Sequence, residues 1–183
     1  MTRQLLLMRH AKSDWNAPSL RDKDRPLNAR GRSTAPIMAT WLFEQGHVPD
    51  LILCSSAIRT QQTLELVIGQ WEMLRVANPT LVVPETIMEN RLYLASDSAI
   101  LSFACDMSKK IVNAQSLMVL GHNPGMEVLA SILSGTTMAM PTASIAILSS
   151  KATPEEWPAD WGNAKMWDWR GLVKPRKLGR ETI

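Results

Sequence analysis

Three short stretches of this chain carry residues that could do chemistry. Arg9 and His10 stand together at the end of the apolar run 5–8, ahead of Ala11, Lys12 and Ser13. Arg59 closes the stretch Ser55-Ser56-Ala57-Ile58-Arg59, which follows a second apolar run at 51–54. His122 follows Gly121 at the end of a third run, 117–120. Arginine offers a planar, permanently charged fork for phosphate oxygens, and a neutral imidazole is a nitrogen nucleophile available near neutral pH. Any one of these residues alone reads as readily as a satisfied loop or surface side chain. Three apolar runs that each end in Arg or His read as a phosphate site, provided strands bring them to one edge. His47, beside Gly46 and Pro49, reads as a loop residue.

The elements that would do this are legible. Short apolar runs bounded by polar residues read as buried strands, here 5–8, 50–54, 81–83, 116–120 and 144–149. Between them, stripes with helical period predict helices over 30–45, 57–75, 99–110 and 126–133. Strands alternating with crossover helices predict an α/β fold of three layers, α/β/α, around a mainly parallel sheet. Open sheets of this kind bind ligands at the carboxyl ends of their strands, where His10 and His122 would hang. Ser55 or Ser56 is expected to cap the second helix, which puts Arg59 in its first turn. A cation there opposes the helix dipole, so its position is better explained if it faces an anion. Asn123 is a further cap candidate ahead of Pro124. The charged, proline-interrupted segment 14–28 cannot bury itself and is expected to form a rim or lid.

Composition bounds the rest. The 183 residues are 45% hydrophobic with a net charge of +3, as expected of one globular domain spanning 1–183. No apolar run approaches the ~20 residues of a membrane span, and no signal peptide is read at the N-terminus. Cys54 and Cys105 are far apart in apolar contexts, so buried thiols in a reducing, cytoplasmic compartment are expected. The late cations Lys174, Arg176, Lys177 and Arg180 read as a solvated end, with nucleic-acid affinity the sharper alternative; no nucleic-acid-binding motif accompanies them. The segment from about 150 to 183 is rich in tryptophan, with Trp157, Trp161, Trp167 and Trp169. It is expected to close or extend the sheet, with 166–170 as an edge strand and Trp167 and Trp169 on one face. A partner-docking surface is the alternative. The two cysteines and three histidines show no zinc-ligand spacing, and neither a metal nor a cofactor is expected.

The stretch Leu7-Met8-Arg9-His10-Ala11-Lys12-Ser13-Asp14-Trp15-Asn16 resembles the signature of the histidine phosphatase (phosphoglycerate mutase-like) superfamily. Asp24 to Gly31, Ser55 to Thr63 and Gly121 to Gly125 resemble its later motifs in order, and Ala11 after the Arg-His pair is most similar to the SixA-type phosphohistidine phosphatases. The resemblance implies a phosphoglycerate mutase-like fold, with His10 as the nucleophile that becomes phosphohistidine. It implies Arg9 and Arg59 as clamps on the phosphoryl oxygens and His122 as a pocket cation or hydrogen-bond donor. Ser13, Asn16 and Asn123 are the matching substrate contacts.

Larger relatives carry an insertion that covers the site and supplies an acid to the leaving group. Here residues 84–97 are the only room, and Glu89 is the acid candidate, unless it is a surface carboxylate paired with Arg91. So little insertion implies an open pocket and a substrate whose leaving group needs little protonation. The expected substrate is phosphohistidine on a protein. A small phosphate ester and a non-catalytic phosphate-binding adaptor are the alternatives. Neither nucleic acid nor membrane is an expected partner.

Overall fold

Successive side chains of the first strand, β1 (Gln4–Arg9), point into two different cores. Leu5 and Leu7 pack on one face of the sheet, Leu6 and Met8 on the other, and all four are fully buried. That is why the run is continuously apolar: a central strand covered on both faces has no solvent side. A computed structural model describes residues 3–16, 19–110, 115–151 and 161–178.

The remaining elements are α1 (Ala29–Glu44), β2 (Leu51–Ser55), α2 (Ile58–Ala77), β3 (Glu85–Glu89), α3 (Asp97–Lys110), β4 (Ser116–Gly121), α4 (Gly125–Ser134), β5 (Ile145–Ser150), β6 (Trp167–Val173) and the short α5 (Pro175–Leu178). The sheet order is β3-β2-β4-β1-β5-β6. Pairing is parallel from β3 through β1, and β5 runs antiparallel to both of its neighbours. Helices α1 and α2 cover one face through Met38, Leu42, Val67 and Trp71. Helices α3 and α4 cover the other through Ile100, Phe103, Met126 and Leu129. The buried Trp71 indole N–H donates to the Ala39 carbonyl at 2.9 Å, tying α2 to α1. Among the described residues no helix is long and apolar enough to cross a membrane.

One expected strand is misplaced. Leu81 to Val83 do not form a strand; the edge strand is β3, beyond Pro84. An edge strand needs only one buried side chain in two, and β3 turns Ile87 inward while leaving Thr86 and Met88 exposed. Apolarity therefore pointed a few residues too early. The room left for an insertion is itself structured: β3 and the 3-10 turn Asn90–Leu92 occupy it.

The described part of the tryptophan-rich segment packs inward. Trp167 and Trp161 are 4% and 3% exposed, their rings meet edge to face, and the Trp167 indole donates to the Trp161 carbonyl at 2.9 Å. Trp169 lies on the same side of β6 as Trp167. Trp157, with Pro154 and Pro158, falls outside the described residues, as does Arg180.

Candidate active site

The register of the sheet brings the three chemical stretches together. Arg9 of β1 pairs with Gly121 of β4, and Leu120 of β4 pairs with Cys54 of β2, so the three strands end side by side. His10 and His122 emerge one residue later, with ring centroids 5.1 Å apart. Arg59 enters from the first turn of α2. Together they line a pocket of about 260 Å³.

The protonation of His10 follows from its backbone. Its Nδ1 lies 2.7 Å from the Ala11 carbonyl oxygen, which can only accept, so Nδ1 carries the proton and Nε2 keeps its lone pair. Ala11 is itself held, because its N–H donates to Thr63 Oγ1 at 3.1 Å and that hydroxyl donates to the Arg59 carbonyl. His10 is 6% exposed. Burial, with the charges of Arg59, Arg9 and Arg25, pushes its pKa down to about 3. The imidazole is therefore neutral at physiological pH.

Arg59 is buried to 2% exposure and reaches three acceptors. Its Nη1 and Nη2 donate to the Asp22 carbonyl and carboxylate at 2.5 and 2.9 Å, and its Nε donates to His10 Nε2 at 3.3 Å. The anion that faces this helix terminus within the protein is thus Asp22. Its carboxylate also accepts from Arg25 and from the Tyr93 hydroxyl, the latter at 2.7 Å. Burial raises the Asp22 pKa, but those hydrogen bonds and the Arg59 charge outweigh it and hold the carboxyl at about 2.

Arg9 sends one Nη to the Met140 carbonyl at 2.7 Å, while its Nε is buried without a protein partner. His122 accepts or donates at Nε2 with Ser55 Oγ, 2.7 Å away, and its Nδ1 is likewise buried without a protein partner. Burial, with His10 and Arg59 nearby, pushes the His122 pKa down to about 2, so it is a neutral hydrogen-bonding group rather than a cation. Ser13 and Asn123 line the pocket too. The Asn123 amide N–H₂ bridges Glu127 and the Met140 carbonyl, at 3.0 and 3.1 Å, and leaves its oxygen unpaired.

Other expectations are not met. Asn16 is exposed and does not line the pocket; its backbone N–H closes a turn on the Asp14 carboxylate at 2.8 Å. Glu89 also lies outside the lining and binds Arg91 at 2.8 Å. Hydrogen bonds from Arg91 lower its pKa, so it is ionised, the opposite of what an acid donor needs. Neither serine caps α2: the N-cap is Ala57, and Ser55 is turned to His122 instead. Asn123 does not cap α4, whose N-cap is Pro124. The described residues of 14–28 form a rim, pinned by the Ser13–Leu27 bridge and by the Asp14 N–H to Pro26 carbonyl bond. From it Trp15, Asp22 and Arg25 face the pocket.

Sequence reasoning missed Asp22, Arg25 and Tyr93. Asp22 and Arg25, three apart, are joined by a 3-10 turn into an ion pair of 2.5 Å, and this spacing was the signal available. Tyr93 carried no local signal, since it arrives from the turn after β3.

A family model described as the histidine phosphatase superfamily (branch 1) matches residues 5–81, which hold His10, Arg9 and Arg59. An uncharacterized chloroplastic protein of Arabidopsis thaliana is 32% identical over 181 residues, covering 96% of this chain and 79% of its own. The chain belongs to the histidine phosphatase superfamily. Its fold is that of the superfamily's SixA-like members. The putative phosphohistidine phosphatase SixA of Agrobacterium tumefaciens superposes with a TM-score of 0.72 at 26% identity, over 96% of this chain and all of the other. The corresponding SixA of Nakamurella multipartitia gives 0.74 at 24% identity, over 96% and 97%. Of its two cysteines, Cys54 is buried, and burial pushes its thiol up to about 12, whereas Cys105, also expected to be buried, is only partly so.

Proposed function

We propose that the protein hydrolyses phosphohistidine on a protein partner through a covalent phosphohistidine at His10. One observation carries the reading: the Nδ1 proton of His10 is committed to the Ala11 carbonyl, which aims the Nε2 lone pair into a pocket of guanidinium groups. In the first step Nε2 attacks phosphorus and the bond from phosphorus to the substrate nitrogen breaks. The leaving imidazole keeps that electron pair and takes its proton from solvent. In the second step water attacks the phosphoryl group, the bond to Nε2 breaks, and inorganic phosphate leaves with neutral His10 restored.

The protein's part is position and charge. Arg9 and Arg59 would hold the equatorial oxygens, and Arg59 would exchange its bond to Nε2 for one to phosphate. His122 Nδ1, protonated when Ser55 donates to Nε2, would supply a neutral hydrogen bond. Ser13 and Asn123 stand close enough to the pocket to add polar contacts.

The nature of the leaving group is supported by the state of the acids. The carboxylate lining the pocket is Asp22, held ionised by Arg25, Arg59 and Tyr93, and Glu89 is tied to Arg91. An alkoxide would need a proton from such a group, whereas a leaving imidazole can take its ring proton from solvent rather than from a carboxylic acid of the pocket. The test is to compare rates on a phosphohistidine protein, phosphoramidate and sugar phosphates, with wild type and His10→Ala. Fast turnover of both nitrogen-linked substrates, absent in the variant, is expected; preference for sugar phosphates would point to an esterase.

A further inference from the structure

Beside the His10 pocket lies a second cleft of about 500 Å³, which shares Arg9, Lys12 and Thr142 with it and adds Arg30, Lys174 and Arg176. We propose that Lys12, Arg30, Lys174 and Arg176 form a subsite for a second anionic group of the substrate, a phosphoryl or a carboxylate. The inference rests on His10 being the phosphoryl acceptor next door.

Three observations carry it. First, the topology delivers the cations here. Strand β6 ends at Val173, paired with Ile145 at the start of β5, and Ile145 pairs with Met8 just before Arg9. The residues after β6 must therefore emerge at the edge of the sheet that holds the catalytic groups. Lys174 and Arg176, expected as part of a solvated end, instead line this cleft.

Second, the charges are unanswered. Arg21, Arg25, Arg59, Arg75, Arg91, Lys151 and Arg170 each sit within ion-pair distance of a carboxylate. Among the described residues no carboxylate pairs with Lys12, Arg30, Lys174 or Arg176, and no acid lines the cleft. Four cations around one concavity repel each other and focus a positive field on it, which an anion relieves.

Third, Arg30 stands in the first turn of α1, as Arg59 does in α2, where a cation gains nothing from the helix dipole. Arg59 has Asp22 as its anion; Arg30 has none among the described residues.

Carboxylates beside a phosphohistidine on a protein, or a second phosphate on a small molecule, would present the same chemistry. The test uses wild type and the Lys174→Ala/Arg176→Ala double variant, whose changes lie outside the His10 pocket. Two substrate pairs distinguish the sources: a phosphohistidine peptide with neutral or with glutamate neighbours, and glucose 6-phosphate against glucose 1,6-bisphosphate. Wild type is expected to favour the second-anion member of one pair by about tenfold or more in kcat/KM, the scale of one or two charge-assisted hydrogen bonds. The double variant should lose that preference while turning over phosphoramidate as before. Equal rates within both pairs in wild type, or a preference the double variant retains, would overturn the proposal.

A catalysis-free measurement separates the two ideas. Pyrophosphate binding to His10→Ala protein should weaken about tenfold when Lys174→Ala/Arg176→Ala is added, with orthophosphate binding unchanged. Unchanged pyrophosphate affinity would overturn the subsite even if the chemistry at His10 stands, and weakened affinity would support it even if that chemistry fails.

Discussion

The Nε of Arg59 lies 3.3 Å from Nε2 of His10, so the residues proposed as clamp and nucleophile are already in contact through the nitrogen that would attack. The same guanidinium holds Asp22 with its other two nitrogens. Lysine would keep the charge but not the fork, since one ammonium cannot reach three acceptors fixed in a plane. Arg59→Lys is expected to lose about 100-fold or more in kcat, in the range seen when one donor to a developing oxyanion is removed. Steady-state rates on phosphoramidate check this, and near-normal turnover would mean that Arg59 is not a clamp.

Stability should fall on mild acidification. The folded-state pKa values of His10 and His122, about 3 and about 2, lie below the unfolded value of ~6.5. Below pH 6.5 the unfolded chain therefore binds more protons than the folded one, and each histidine withdraws up to about 1.4 kcal/mol per pH unit. Asp22, also depressed, adds a loss only below its unfolded value, as pH falls toward 2. Urea midpoints measured between pH 7 and 4.5 should drop steadily for wild type and less steeply for His122→Phe. A flat wild-type profile would contradict the burial of two neutral histidines.

Two glycines in helices should respond in opposite directions. A Cβ on Gly31 would stand 2.2 Å from the Lys12 carbonyl oxygen, a backbone atom that cannot move without shifting the loop after His10. Gly31→Ala should cost about 1–3 kcal/mol of stability and reduce turnover as well. Gly69, exposed in α2, meets nothing within 4 Å. Gly69→Ala should stabilise by about 0.5–1 kcal/mol and leave turnover unchanged. Denaturation midpoints and rates on one preparation of each variant check both halves.

What the sequence made legible depends on how local the signal was. Strands β1, β2 and β4 are buried on both faces, so their apolar runs ended where the strands end and placed Arg9, His10 and His122 correctly at the edge. In the 55–63 stretch the arginine is the conspicuous residue, but the polar residues around it hold the site. Thr60 bonds the Ser55 and Ala57 carbonyls, Gln61 the Ser56 carbonyl, Gln62 the Leu27 N–H and Thr63 the Ala11 N–H. What stayed hidden depends on contacts between distant segments. Tyr93 meets Asp22 across 71 residues, and Lys174 reaches the sheet edge that holds His10 only because β6 pairs with β5. No period or cap in the chain encodes either contact. Edge strand β3, half of it exposed, was hidden by its own polarity.

In the proposed mechanism His10 Nε2 takes the phosphoryl group. Brief mixing of the protein with a labelled phosphodonor, followed by quenching in base, should trap phosphate on the chain that acid removes and base does not. Peptide mapping should place it on His10, and His10→Ala should carry none and turn over nothing. Wild-type turnover by His10→Ala, or label found on another residue, would contradict the account.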